Sequence, residues 1–333
     1  MINSWLRKIL IVVILLSLLA GVLVLNSSRF NPDPSGDTEF IARAQQKVEP
    51  GITVSASALG RQESRRSFGE DLGKYDIQPI WLSIKNDTDD QLLLLSIALD
   101  PNYYSPYEVS YRFHGAFSPV ANHEREQFFV QRQMPNILAP HSITTGFMSG
   151  VVDAGVKYAR ILIARNSQID AFDFALAVPG PAFVGTGVSA ESIYPGQRIE
   201  DLDLDTLRVK LAEYPCCTTN GDATRDGDPL NLAVVESSRD SVIPFIAREW
   251  HLTQKLDAES ILETVRAFVL RDEYLTSPVS YVFGRQEDLA LQKARSTINE
   301  RIHARLWLTP YTFESRRVWI GQVSRDIGVR LTD

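Results

Sequence analysis

Ile9 to Leu25 form an apolar run of 17 residues relieved only by Ser17, Ala20 and Gly21, and no other feature constrains the chain as strongly. A helix needs about 17–25 apolar residues to cross a bilayer. Arg7 and Lys8 precede the run, and no further charge occurs until Arg29. That asymmetry predicts a cytoplasmic N-terminus, with everything after the run outside. The run is apolar on every face, unlike a core helix, which keeps a polar stripe. It is also longer than the apolar region of an ordinary signal peptide, usually about 7–15 residues. The small residues that a signal peptidase needs are poorly matched at Leu19/Gly21 and at Asn26/Ser28. Val22 stands where a lipid-attachment box needs cysteine. Residues 1–28 therefore read as a retained transmembrane anchor, with a cleaved signal peptide as the alternative.

After the anchor, Asn26 to Gly36 has the polar, Pro/Gly/Ser-bearing composition of a flexible stalk. The expected linker covers residues 29–50, with a short helix inside Thr38–Val48. From Gly51 to Pro181 the pattern is strand-like. Ile80, Leu82 and Ile84 alternate with Trp81, Ser83 and Lys85, and polar turns at Asn86–Asp90 and Asn166–Asp170 separate apolar runs. Such alternation predicts an antiparallel β-sandwich over 51–181. Residues 182–204 read as a connector.

Beyond it the pattern mixes helix and strand. Leu204 to Tyr214 reads as a helix stopped by Pro215, Leu230 to Val235 as a strand, and Val242 to Trp250 as a helix. Ser260 and Glu263 make a capping-box pair for a helix to Leu270. Tyr281–Phe283, Ile302–Leu308 and Val318–Val323 read as strands. An α+β domain with a mainly antiparallel sheet is expected over 205–333.

The net charge of −7 argues against a nucleic-acid partner. Two adjacent cysteines and five histidines give no Cys/His zinc framework, and neither a metal nor a cofactor is expected. Gly185 to Ala190 imitates a dinucleotide fingerprint, but Pro195-Gly196 stops any helix that would carry the pyrophosphate. Asp222 to Asp228 echoes half of a calcium loop without the glutamate at its twelfth position, where Ala233 stands. A Gly/Asp-rich turn is the preferred reading there. Cys216-Cys217 lies on the oxidising side of the predicted topology and reads as a structural vicinal pair rather than a redox centre.

The densest chemistry lies in Arg301 to Trp307. As a strand, this segment puts Arg301, His303, Arg305 and Trp307 on one face and Ile302, Ala304, Leu306 and Leu308 on the other. Two guanidiniums and an imidazole on one surface suit an anion, because paired arginines fork onto phosphate or carboxylate oxygens. The competing reading is a solvent-facing strand whose arginines pair with Glu287, Asp288 or Asp326. If the domain has a functional surface, its candidates are Arg285, His303, Arg305, Arg325 and Asp326, with Asn231 and Asp228 from the turn into the first strand. No catalytic residue is assigned.

Several of these motifs resemble the LssY C-terminal domain family. They are Gly227-Asp228-Pro229-Leu230-Asn231-Leu232, Pro278-Val279-Ser280, Phe283 to Lys293, His303-Ala304-Arg305-Leu306-Trp307 and Val318 to Gly328. The resemblance covers about 205–333. It implies a bacterial envelope protein, here single-pass in the inner membrane with its bulk periplasmic. Some relatives implied by it carry phosphatidic-acid-phosphatase-type or DedA-like membrane modules. The family pattern runs on past Arg325-Asp326-Ile327-Gly328, so the resemblance implies a domain cut short at Asp333. Two functions follow as expectations. The first is a binding or accessory module for a lipid, glycan or protein partner, with an anionic ligand as one possibility. The second is a hydrolase acting on phosphorylated or lipid-derived substrates.

Overall fold

The computed structural model describes residues 30–99, 102–116, 118–153, 155–180, 188–236, 242–253, 279–294 and 301–325, together with Trp5 and Ile14. It is built mainly of antiparallel sheets with some helices. Among the described residues no helix is long and apolar enough to cross a membrane. Apart from Ile14, the apolar run lies outside them, as do the expected helix at Ser260–Leu270 and Asp326. The chain forms two compact units, the first ending at Val152 but including 160–172, the second comprising 153–159 and 173 onward.

The first unit is organised around β3 (Ile77–Asn86), which pairs antiparallel with β2 (Ile52–Ala58) and β7 (Ser142–Val151). β1 (Gln45–Glu49) and β5 (Tyr103–Tyr104) complete that sheet. A second sheet has the order β6 (Ile137–Leu138), β4 (Leu92–Leu94), β8 (Val156–Arg165) and β9 (Gln168–Ala177), of which β8 and β9 belong to the first unit over 160–172. Pro50-Gly51, expected to close a linker, is instead a two-residue turn pairing Glu49 with Ile52. Gly51 holds φ at +78°, as the third position of a Pro-Gly turn requires. Residues 30–50 thus contribute an edge strand and the helix α1 (Asp37–Ala42).

The strand-like expectation for 51–181 needs correction, because helices interrupt it: besides the single turn Ser96–Leu99, these include α2 (Arg61–Phe68), α3 (Pro106–Tyr111) and α4 (Pro119–Arg132). Each has local cause. The Gly60 N–H donates to Glu63 at 2.9 Å to open α2. Ser105 and Glu108 form a reciprocal capping box on α3, and Pro119 occupies the first turn of α4, where its missing N–H costs nothing. These helices bury Phe68, Val109 and Phe129 against Ile77, Trp81 and Phe147. The opposite side of β3 buries Ile80, Leu82 and Ile84 as well. A strand covered on both faces loses the clean alternation that marks a two-layer sandwich.

In the second unit β13 (Leu232–Glu236), β19 (Arg316–Arg325), β18 (Arg301–Phe313), β17 (Leu289–Ala294) and β14 (His251–Leu252) lie side by side, all antiparallel. β10 (Glu200–Leu202) runs parallel to the end of β18, and Asp203 then caps α5 (Leu204–Ala212) by accepting the Thr206 N–H. β18 and β19 turn through Glu314-Ser315, both at positive φ, the geometry of a tight hairpin turn. Gly321 has to be glycine-sized, since a Cβ there would meet Leu306 Cδ2 at 2.3 Å and Arg305 O at 2.8 Å.

One sheet face carries Leu289, Leu291, Ala304, Leu306, Leu308 and Trp319, packed with Phe245, Ile246 and Trp250. Phe245 and Ile246 belong to α6 (Ile243–Ile246), shorter than the expected Val242–Trp250 because Glu249 adopts a positive φ. The other face carries Trp307 and Ile320, covered by Val282, Leu211, Tyr214 and Leu230. Val282 comes from a small second sheet, β12 (Asp226–Pro229), β11 (Cys217–Thr219), β15 (Tyr281–Val282) and β16 (Arg285–Gln286).

Candidate functional site

Strand alternation and the register of β18 decide what the charged residues can reach. In an antiparallel pair, residues directly opposite share a face. His303 lies opposite Gln292 and Ser324, and Arg305 lies opposite Ala290 and Gln322. Arg301, His303, Arg305 and Trp307 do share one face, as their spacing predicts. That face is not open. His303 is 3% exposed, Arg305 6% and Arg301 8%.

Burial on this scale demands polar partners, and β17 and β19 provide them. Arg301 Nη1 donates to Gln292 Oε1 at 3.4 Å, and Arg305 Nη1 donates to Gln322 Oε1 at 3.0 Å. The Gln322 amide passes the chain on, donating from Nε2 to Asp228 Oδ2 at 2.7 Å and to Ser324 Oγ at 2.6 Å. Asp228, in β12, is thereby joined to Arg305 through one buried glutamine. Glu287 is also buried, and its Oε2 accepts the Ser280 N–H at 2.9 Å. Burial pushes the Glu287 carboxyl up, against the opposing pull of that hydrogen bond and of the Arg305 charge.

The other candidates separate from this strip. Arg325 lies opposite Ile302, so it belongs to the face of Ala304 and Leu306, away from His303 and Arg305. Arg285 Nη2 is 3.1 Å from Asp288 Oδ2 and donates to Leu308 O at 3.0 Å, with its guanidinium 5.2 Å from the Tyr194 ring. The Asp288 carboxyl also accepts the Leu308 N–H at 2.8 Å, and burial pushes it up. Asn231 serves the ladder: its Nδ2 donates to Val323 O at 3.0 Å and its Oδ1 accepts the Val323 N–H at 2.9 Å. Asp326 lies outside the described residues. Of the seven candidates, Arg305 and Asp228 are joined through Gln322, and His303 shares the sheet face of Arg305.

Gln292 and Gln322 are the partners that sequence reading missed, whereas Glu287 is among the carboxylates it names, and the Arg305 charge does act on it. A glutamine inside each of the apolar strands Leu289–Ala294 and Val318–Val323 was the available signal, because a lone amide there needs a buried polar neighbour. Among the described residues no group of three His, Cys, Asp or Glu side chains could hold a metal ion. The Asp222 turn is closed on itself, with the Thr224 hydroxyl donating to Asp222 Oδ1 at 2.7 Å and the Arg225 N–H to Asn220 Oδ1 at 2.9 Å. Cys216 and Cys217 form a disulfide at the entry to β11.

Chemically, the strip holds two guanidiniums that donate to the amide oxygens of Gln292 and Gln322 on the neighbouring strands. It can hold β12, β17, β18 and β19 in register. No curated protein matches the chain. Residues 209–333, which contain every side chain of the strip, match the family described as LssY C-terminus. The C-terminal part of the chain, residues 209–333, therefore belongs to the LssY C-terminal domain family.

Proposed function

We propose that this chain is a membrane-tethered extracytoplasmic protein whose C-terminal unit is a binding or accessory module. The tether is the apolar run Ile9–Leu25 with Arg7 and Lys8 before it, which favours a single-pass helix with the folded units outside. A sandwich arrangement of the two antiparallel sheets in the first unit belongs to the same reading. A tether confines a module to one surface and raises its local concentration there.

The observation that carries the choice of binder over hydrolase is the burial of His303. On the same face Arg305 Nη1 donates to Gln322, and the Gln322 amide donates to Asp228 and Ser324. A general acid or base needs hydrogen-bond reach to a substrate atom. The test is turnover of a phosphomonoester and of phosphatidic acid in vesicles by the full-length protein in detergent. No hydrolysis above that of His303→Gln is the expected result. Hydrolysis lost in His303→Gln and Arg305→Met, with both variants folded, would establish the enzyme instead.

A further inference from the structure

Phe283 stands where few side chains can. It and Gly284 form the two-residue turn of the β15–β16 hairpin, at φ +58° and +71°, between the paired residues Val282 and Arg285. Such a turn takes Asn, Asp or Gly at its first position, because a bulky side chain is strained at positive φ. The ring gains little burial in exchange, since Phe283 is 56% exposed. The hairpin itself gives no reason for an aromatic there. Phe283 does continue a row of rings: it lies edge-on to Tyr214 at 4.9 Å, and Tyr214 lies nearly parallel to Tyr311 at 6.4 Å.

A second group lies beside the rings. Tyr194, just after the short helix Ala190–Ile193, donates its hydroxyl to Leu308 O at 2.6 Å, and its ring is 5.2 Å from the Arg285 guanidinium. The Arg285 charge acts on the Tyr194 and Tyr214 hydroxyls alike, and Tyr311 acts on both, which joins the two groups. Burial pushes both phenols above the ordinary tyrosine value, so both stay protonated and able to donate. Arg285 Nη1 is buried without a hydrogen-bond partner among the described residues, although the side chain as a whole keeps 26% of its surface exposed. A charged donor in that state favours an acceptor brought in beside it. The local charge is balanced, with Asp288 3.1 Å from Arg285 and Glu213 3.2 Å from Lys210.

We propose that Phe283, Tyr214 and Tyr311, with Tyr194 and Arg285, bind a neutral, gluco-configured sugar chain. Equatorial hydroxyls leave such a pyranose flat C–H faces that pack on aromatic rings, and the hydroxyls around its edge pair with phenols and a guanidinium. The balanced charge disfavours a phosphate or carboxylate, which would find no unpaired cation. The strained turn is the cost in stability of presenting the Phe283 ring to solvent. The inference deepens the reading of the C-terminal unit as a binding module and rests on it, but it makes no use of the tether.

The test is titration of the full chain, in a detergent without a sugar headgroup, with cellohexaose, maltohexaose and chitohexaose as probes. The expected result is binding of at least one, weakened about tenfold in Phe283→Asn, the scale of losing one aromatic anchor. Tyr311→Phe should weaken it severalfold. Asparagine suits the left-handed turn, so the urea midpoint of Phe283→Asn should equal or exceed the parent's, which separates a lost contact from a lost fold. Competition by inorganic phosphate would overturn the assignment of a neutral ligand. Binding of none of the three, or binding that Phe283→Asn leaves unchanged, overturns the proposal while the binding-module reading stands with another ligand. Phosphoester turnover lost in a folded His303→Gln removes that reading, and this proposal with it.

Discussion

Arg305 donates from Nη1 to Gln322 Oε1 at 3.0 Å across the β18–β19 ladder, and Gln322 is completely buried. It replaces solvent around a guanidinium inside the sheet and ties it through the amide to Asp228. Gln322→Leu keeps the volume but removes both functions. Leaving a charged group short of one hydrogen bond costs about 1–3 kcal/mol. We expect a loss of that size in the urea unfolding of the C-terminal unit, followed by Trp307 and Trp319 fluorescence. A variant as stable as the parent would show that the amide is incidental.

Glu287 gives a pH dependence of definite sign. Burial raises its carboxyl, so the folded chain binds this proton more tightly than the unfolded chain. Stability then falls as pH rises from the ordinary carboxylate value through the raised folded value. Asp71 acts in the opposite sense: held low chiefly by its hydrogen bond from Arg61, it contributes above the ordinary value and is lost as pH falls. Urea midpoints of Glu287→Gln between pH 4 and 7 should lack the decline that Glu287 causes in the parent. Parallel pH profiles for the two proteins would refute this assignment.

The Cys216–Cys217 bridge closes the shortest loop a chain can make. Its removal from the unfolded ensemble is worth only about 1 kcal/mol on the loop-entropy relation. Protein isolated without reductant should take up no alkylating reagent before reduction and two equivalents after it. C216S/C217S should unfold within about 1 kcal/mol of the parent. Free thiols in the isolated protein would contradict the structural role.

Asp37 is the clamp that holds the segment 30–42 to α4. Its partner Arg132 sits 4.6 Å from the Phe147 ring, 5.1 Å from Phe68 and 5.4 Å from Phe128. Asp37→Asn leaves that guanidinium among aromatic rings without its countercharge. A loss of about 2–3 kcal/mol is expected, below the range for fully buried pairs because both groups keep some exposure. Limited proteolysis should then cut within 30–42, which the parent protects. An unchanged digest would mean that the ring contacts alone hold the segment.

Much of the sheet was legible from alternation, because strand period fixes which side chains share a face. Arg301, His303 and Arg305 are together for that reason. Their burial was not legible, since Val282 from the β15–β16 hairpin and Leu211 from α5 cover Trp307 on the same face across long stretches of sequence. Arg325 was misplaced because its face depends on the β18–β19 register, set by the Glu314-Ser315 turn and an irregularity between Leu308 and Thr312. Thr309 organises that irregularity, its hydroxyl donating to Val318 O at 2.7 Å and accepting the Tyr311 N–H at 3.2 Å. In the first unit, Pro50-Gly51 marks a boundary or a hairpin equally well by composition. Only a pairing partner such as Ile52 for Glu49 decides between them. α4 escaped notice because Arg125 is among its buried residues, an anchor that an apolar periodicity does not register.

The tethered topology is tested most directly by a reporter enzyme active only outside the cytoplasm, fused after Asp333 and assayed in cells alongside a cytoplasm-only reporter at the same position. The account predicts activity from the first fusion alone, recovered with the membrane fraction. Activity from the cytoplasmic reporter alone would contradict it.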